Sequence, residues 1–352
     1  MDDFSDLSVN SAQKANTQIV LFTMCLGVLI AQLDTSVVNL AIRHIGQDLG
    51  VGIRKLQWVV DAYNLVYASL LLTGGTLGDL FGRRRVFAVG ISIFTIGSLV
   101  CGLAPDAIIL IAGRAITGLG AALLLPTSLS ILAVSYPDPK ERGRAIGVWA
   151  SCNGLAFALG PTLGGWIVDV WGWRAIFLMI VPVSAFALVL AVRRVPESAH
   201  PEGRRLDLVG QSLAILFLAA LTLGAIEGAH WGWGSVATLV CATVCVAALA
   251  LFILIEARTE GALVPIALFF RKGLSASISV AALMTFGMYA LLFLTPLYLQ
   301  EMRGATTLIA GVELLPMSLT FLVVSRRSGP LVARYGSRAV MTSGMALMAW
   351  AC

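Results

Sequence analysis

Charge is what this chain lacks. Charged residues make up 12% of its 352 positions, where a soluble domain carries roughly 25%. Its three histidines stand far apart and form no metal-ligand cluster. Its four lysines (Lys14, Lys55, Lys140, Lys272) sit in no G-K-[ST] phosphate loop, which excludes ATP-driven chemistry of that type. His44 and Asp48, four apart, fall in an expected outer loop and read as solvated polar residues. No enzyme, cofactor, metal or nucleic-acid binding is expected. The six cysteines (Cys25, Cys101, Cys152, Cys241, Cys245, Cys352) all lie in apolar stretches, so they read as small membrane hydrophobes. Residues 1–16 are polar, carry Asp2, Asp3 and Asp6, and lack the basic region of a cleaved signal, so the N-terminus is expected to remain.

What replaces charge is apolar length. Hydrophobic residues reach 58%, and the mean hydropathy is +0.90. A water-soluble fold of this size cannot cover that much apolar surface. Runs of about 20 apolar residues recur, each long enough to cross about 30 Å of hydrocarbon. Hydropathy places spans at 18–42, 57–80, 86–103, 107–134, 145–168, 174–192, 208–226, 235–255, 274–299, 308–324 and 339 to the end. With the N-terminus inside, eighteen Lys and Arg fall in inner segments and five (Arg43, Arg54, Lys55, Arg174, Arg303) in outer loops, with Arg114 within a span. That bias predicts a cytoplasmic N-terminus in a multi-pass protein of the cell membrane.

An internal repeat organises the rest. Gly75, Leu77, Phe81, Gly82 and Arg84 answer Gly329, Leu331, Tyr335, Gly336 and Arg338 in the pattern G-x-L-x-x-x-[FY]-G-x-R. Each copy follows an inward-running span, and the copies are eight spans apart, so they share one orientation. Parallel repeats of helix bundles belong to transporters that hold substrate between the halves. Six-helix bundles would make 1–192 the first half, 193–272 two linking helices with their loops, and 273–352 the start of a second half whose last three helices are missing from this chain.

These residues resemble the major facilitator superfamily, and within it the fourteen-helix drug:proton antiporter branch. GTLGDLFGRRR (75–85) is similar to the family's motif A, RAITGLGAA (114–122) to motif B with Thr117 in place of glutamine, and GPTLGG (160–165) to the antiporter motif C with Ala156 in place of its leading glycine. LDTSVVNLA (33–41), WGWRAIFLMIVP (171–182, Ile180 for asparagine), FLTPLYLQEMRG (293–304) and ELLPMS (313–318) resemble signatures of helices 1, 6, 9 and 10, in the same order. The resemblance implies an all-α fold of two parallel six-helix bundles plus two linking helices. It also implies proton-driven export of amphipathic or cationic small molecules by a monomeric carrier. A carrier of an endogenous metabolite or nutrient is the alternative, and a membrane enzyme or receptor a remote one.

Membrane-embedded charge picks out the candidate site, since each such group costs about 2.5–3.5 kcal/mol at a helix centre. Asp34 and Arg114 lie at nearly the same depth, about 12 Å from the outer ends of their spans at 1.5 Å per residue. They are expected to be neighbours, and either a proton switch or a permanent structural pair. Gln32, Thr35, Ser36 and Asn39 form one polar stripe at helical spacing. Asp34 lies about 200° from Gln32 at 100° per residue, so it faces a neighbouring helix. Gln57, Asp61 and Asn64 form a second stripe. Asp61, Tyr63, Asn64 and Glu313 join Gln32 and Asn39 as possible cavity residues; hydrated interfacial acids are the plain alternative for Asp61 and Glu313. In motif A, Gly75 and Gly78 are expected to let helices approach and Gly82 to make the turn. Asp79 is expected to take arginines or a helix N-terminus across the bundle interface, closing the cytoplasmic side. Arg83, Arg84 and Arg85 also fit plain positive-inside anchoring. In motif C, Pro161 removes a helix hydrogen bond, while Gly160, Gly164 and Gly165 leave a smooth face for a seal or for close packing.

Overall fold

The computed structural model describes residues 2–200, 207–259 and 272–351. Arg204, Arg205 and Arg271, expected in inner loops, lie outside the described residues. Among the described residues eleven helices follow one another: α1 (Asp2–Leu49), α2 (Ile53–Phe81), α3 (Arg83–Gly102), α4 (Ala107–Ser135), α5 (Pro139–Trp171), α6 (Arg174–Arg194), α7 (Leu208–Trp231), α8 (Val236–Glu256), α9 (Lys272–Glu301), α10 (Thr307–Glu313) and α11 (Leu315–Ala351). Among the described residues, seven helices are long and apolar enough to cross a bilayer, or eight if bent α5 counts as one span.

Local chemistry sets the helix starts. Asp106 accepts from Ile108 N at 2.8 Å and Ile109 N at 3.0 Å, capping α4. Asp138 does the same for Lys140 N (3.0 Å) and Glu141 N (2.9 Å), with Pro139 in the first helical position. Asp207, Ser235 and Thr306 cap α7, α8 and α10. Gly82, between α2 and α3, has φ 104°. Its partner in the sequence repeat, Gly336, has φ 81° and breaks α11 into two pieces. Both conformations are strained for any residue with a Cβ. The repeat is therefore a repeat of backbone as well as of letters.

Helices α1 to α6 pack on one another, with α4 held between α2 and α3 and α1 between α5 and α6. The glycines of 114–122 explain why α4 fits. A methyl at Gly118 would come 2.5 Å from Tyr63 O on α2, and one at Gly120 would come 2.6 Å from Phe94 N on α3. Helices α7 and α8 pair and lean on α2, while α9, α10 and α11 meet the rest through α1 and α5.

Three expectations about boundaries change. First, α1 runs on to Leu49, past the expected end at residue 42, because Ile42 and Ile45 stay buried in a core cluster flanked by Leu49. His44 and Asp48 are thus helical, not loop, residues. Second, the span expected at 308–324 is an apolar helix over Thr307–Thr320, with one turn residue at Leu314. Third, the last piece starts just after Gly336.

Candidate functional site

Asp34 and Arg114 meet in the interior, each 1% exposed. Arg114 Nη1 donates to Asp34 Oδ2, and its Nε donates to Val59 O on α2 at 3.1 Å. The Tyr63 ring lies against the guanidinium, 4.5 Å from centroid to carbon. One arginine so ties α1, α2 and α4 together. The other carboxylate oxygen, Oδ1, is buried without a hydrogen-bond partner. Arg114 neutralises one charge with another, which is the condition for burying either.

The proposed cavity residues separate into two groups. Gln32, Asp61 and Asn64 remain half-buried. The other three are already engaged. Asn39 Nδ2 donates to Thr35 O at 3.1 Å and is buried. Tyr63 packs under Arg114, since its ring is worth more against the guanidinium than against solvent. Glu313, the last residue of α10, pairs with Arg303 at 3.5 Å, its side chain 43% exposed.

The motif A turn differs from expectation in detail. Asp79 accepts from Arg83 Nε (3.0 Å) and Nη2 (2.8 Å), one turn along the chain. The close glycines are Gly74, where a methyl would collide with the Ala122 carbonyl, and Gly78, where it would come 2.6 Å from Thr127 Cγ2. Gly75 has ordinary room, its nearest neighbour being Pro126 Cβ at 3.6 Å. The segment after α6 wraps over the turn. Glu197 accepts from Arg84 N at 3.0 Å and pairs with Arg84 at 3.5 Å and Arg85 at 3.7 Å. Arg83 N donates to Ser198 O at 2.8 Å and His200 N to Asp79 O at 2.9 Å. Glu197→Ala is expected to loosen this wrap by about 1 kcal/mol, as for partly exposed ion pairs. Faster amide exchange at residues 82–86 measures it; unaltered exchange there counts against the wrap.

Motif C places α5 between two partners. A methyl at Gly164 would come 2.5 Å from Val37 Cγ1, and Gly160 faces Ser36, both on α1. On the other side, a methyl at Gly165 would come 2.7 Å from Thr307 O, and one at Gly311 of α10 would collide with the Pro161 carbonyl. Pro161 lies within α5, which bends by 41° between Pro139–Ala156 and Leu159–Trp171.

A seam continues from there toward the end of the molecule that carries Leu49. Arg43 Nη1 donates to Gln300 O (2.8 Å), and Gln300 Nε2 donates back to Leu40 O (3.0 Å). Arg43 also pairs with Glu301 at 3.2 Å. His44 Nδ1 and Thr307 Oγ1 are 3.2 Å apart, and Leu308 N donates to Asp169 at 3.0 Å.

Residues 24–352 match the Major Facilitator Superfamily. The chain belongs to that superfamily. It is 38% identical over 330 residues to the multidrug resistance protein Stp of Mycobacterium tuberculosis, covering 94% of this chain and 62% of that protein. It is also 38% identical over 343 residues to the methylenomycin A resistance protein of Bacillus subtilis, covering 97% of this chain and 73% of that one. The chain thus spans about three fifths to three quarters of the length of these relatives. The crystal structure of a peptide transporter, POT, in complex with sulfate shares the fold with TM-score 0.65 at 16% identity, covering 91% of this chain and 69% of that one.

The major facilitator chain is therefore an all-α, multi-pass membrane protein, as its composition and motif order imply. Within it, several polar ties escape sequence reasoning. Gln211 of α7 donates to Ser69 O on α2 at 2.5 Å and accepts from Thr73. Glu227, at the other end of α7, accepts from Arg54 and from Trp58 Nε1 on α2, each at 3.0 Å. Asp48 accepts from Arg174 (2.5 Å) and Trp173 Nε1 (3.0 Å), joining α1 to α6. A lone Gln or Glu in an apolar run was the available signal, because such a group needs a partner.

Proposed function

We propose that this protein exports amphipathic or cationic small molecules in exchange for protons, by alternating access between two parallel bundles. The observation that carries the reading is the buried Asp34–Arg114 pair, found in a chain whose relatives are named for resistance to drugs. An ionised carboxylate held only by one arginine gains a proton when that arginine is drawn away, and loses it when the pair reforms. Substrate contact at Gln32, Asp61 and Asn64, with Asn39, Tyr63 and Glu313 acting through their partners, supplies the differential binding that an alternation requires. The proposed units are 1–192, 193–272 and 273–352, with the last moving against the first.

The N-terminus is placed in the cytoplasm on the strength of the arginine bias. The gate at Gly75, Asp79, Gly82, Arg83 and Arg84 then lies on the cytoplasmic side. The seam of Arg43 with Gln300 and Glu301 closes the outer side, sealed along motif C by Gly160, Pro161, Gly164 and Gly165. An inward-open arrangement has this pattern of contacts at one end.

The test is expression in an efflux-deficient host, following accumulation of dyes and antibiotics with and without a protonophore. Expected is reduced accumulation of at least one compound, reversed by the protonophore. Asp34→Asn is expected to abolish substrate-induced proton release from the purified protein. Protonophore-insensitive export counts against the coupling, and uptake in place of export favours the metabolite carrier. Unchanged proton release in Asp34→Asn removes Asp34 from the role.

A further inference from the structure

Two cysteines far apart in the sequence come together in the first half. Cys25 on α1 and Cys152 on α5 each stand seven residues in from the start of their expected spans, at 18 and 145. That places both about 10 Å along, at 1.5 Å per residue. The two helices pack on each other, and the two side chains lie within interaction range across that contact. Both are free thiols, and both are partly exposed. They line one cavity of about 350 Å³ together with Gln18, Phe22, Leu29 and Leu155. Phe22 and Leu155 are 52% and 40% exposed, so the cavity is open to entering molecules.

Few ligands suit two thiols in an apolar wall. Soft sulfur donors select thiophilic centres. Tetrahedral zinc takes four ligands, and among the described residues no group of three or more His, Cys, Asp or Glu is placed to hold a metal ion. A univalent cation between two thiolates leaves a net negative charge, which apolar surroundings disfavour. A centre that contributes two positive charges leaves none. Mercury(II) does so, but its linear geometry sets the two sulfurs on opposite sides and leaves nothing to occupy the cavity. Trivalent arsenic is pyramidal. It takes two neighbouring sulfurs on one side and points a third substituent away from them. An aryl group there meets phenylalanine and leucine side chains, and about 150 Å³ is already enough for a benzene ring.

We propose that Cys25 and Cys152 form a dithiol site for trivalent organoarsenic compounds, with both sulfurs on one arsenic and its aryl group in the cavity between α1 and α5. Two S–H and two As–OH bonds break, two As–S bonds form, and two waters leave. Arsenic stays trivalent throughout, so the step needs no oxidant. The link joins α1 to the Pro139–Ala156 piece of α5, while Gly160 and Gly164 hold α1 against the piece beyond the bend. A bound arsenical therefore fixes the bend of α5. The site stands independently of the direction or coupling of transport.

The test uses the purified chain in lipid nanodiscs. Phenylarsine oxide is added, the excess is removed with a monothiol, and the remaining thiols are alkylated with N-ethylmaleimide and quantified peptide by peptide. A monothiol strips arsenic from single cysteines but not from a chelating pair. Expected is a joint loss of labelling at Cys25 and Cys152, restored by ethanedithiol. Cys25→Ala is expected to return Cys152 to full labelling, and Cys152→Ala to do the same for Cys25. Leu155→Trp keeps both thiols but fills the space for the ring, and is expected to abolish the protection. Val170→Trp, on the same helix, 55% exposed and outside the cavity, is expected to keep it and controls for folding. Protection of either cysteine without the other overturns the pair. Protection that survives Leu155→Trp overturns the seat for the ring. Full labelling of both after phenylarsine oxide overturns the site, and protection by mercury(II) chloride instead would assign the pair to a two-coordinate metal ion.

Discussion

Replacing Arg114 by methionine is expected to destabilise the protein by about 3–5 kcal/mol, because it leaves Asp34 ionised, buried and unpaired. The measurement is thermal unfolding in detergent, with the melting temperature of the Arg114→Met protein set beside that of the unaltered chain. Three links break at once: the carboxylate, the Val59 carbonyl on α2 and the Tyr63 ring. The double variant Asp34→Asn with Arg114→Met removes both charges, and buried pairs exchanged for neutral residues are often tolerated. It is expected to regain most of the lost stability while remaining unable to release protons. Stability that falls equally in the double variant would mean that the packing of the long side chain matters more than its charge.

Gly311→Leu is expected to abolish transport in a protein that still folds. The glycine lies where α10 crosses α5, with no space for a methyl beside the Pro161 carbonyl. A backbone atom cannot rotate aside as a side chain can, so the larger residue pushes α10 from α5. That opens the seam of Arg43, Gln300 and Thr307. Spin labels on the ends of α1 and α9 near that seam are expected to move apart and stay apart with or without substrate. Distances that still alternate in Gly311→Leu would place the pivot elsewhere.

The parts of this molecule legible in its sequence are those where a local or periodic rule applies. Apolar run length gives most of the spans. Equal depth in two helices brings Asp34 to Arg114, which the structure joins directly. The repeated glycine at 82 and 336 marks a turn in the sequence, and both residues have positive φ. The illegible parts depend on distant or subtle geometry. Arg43 and Gln300 are 257 residues apart, and nothing in either neighbourhood names the other. Glu197 follows the last helix of its half in a stretch without periodicity, yet it covers the motif A turn. Gly74 and Gly75 are indistinguishable as letters. Only the rotation of α2 against α4 decides that Gly74 makes the close approach. His44 and Asp48 read as loop residues because hydropathy fades after residue 42, whereas buried Ile45 extends the helix.

The twin left-handed glycines carry a lesson about symmetry. Position 79 is aspartate and its counterpart, position 333, is alanine, though the bend beside each is the same. The two copies of the motif thus share the bend and differ in the acidic residue before it. Only at the first bend can an arginine one turn on be held by a carboxylate, as Arg83 is by Asp79. Swapping the letters, with alanine at 79 and aspartate at 333, would mirror that inequality without disturbing either bend.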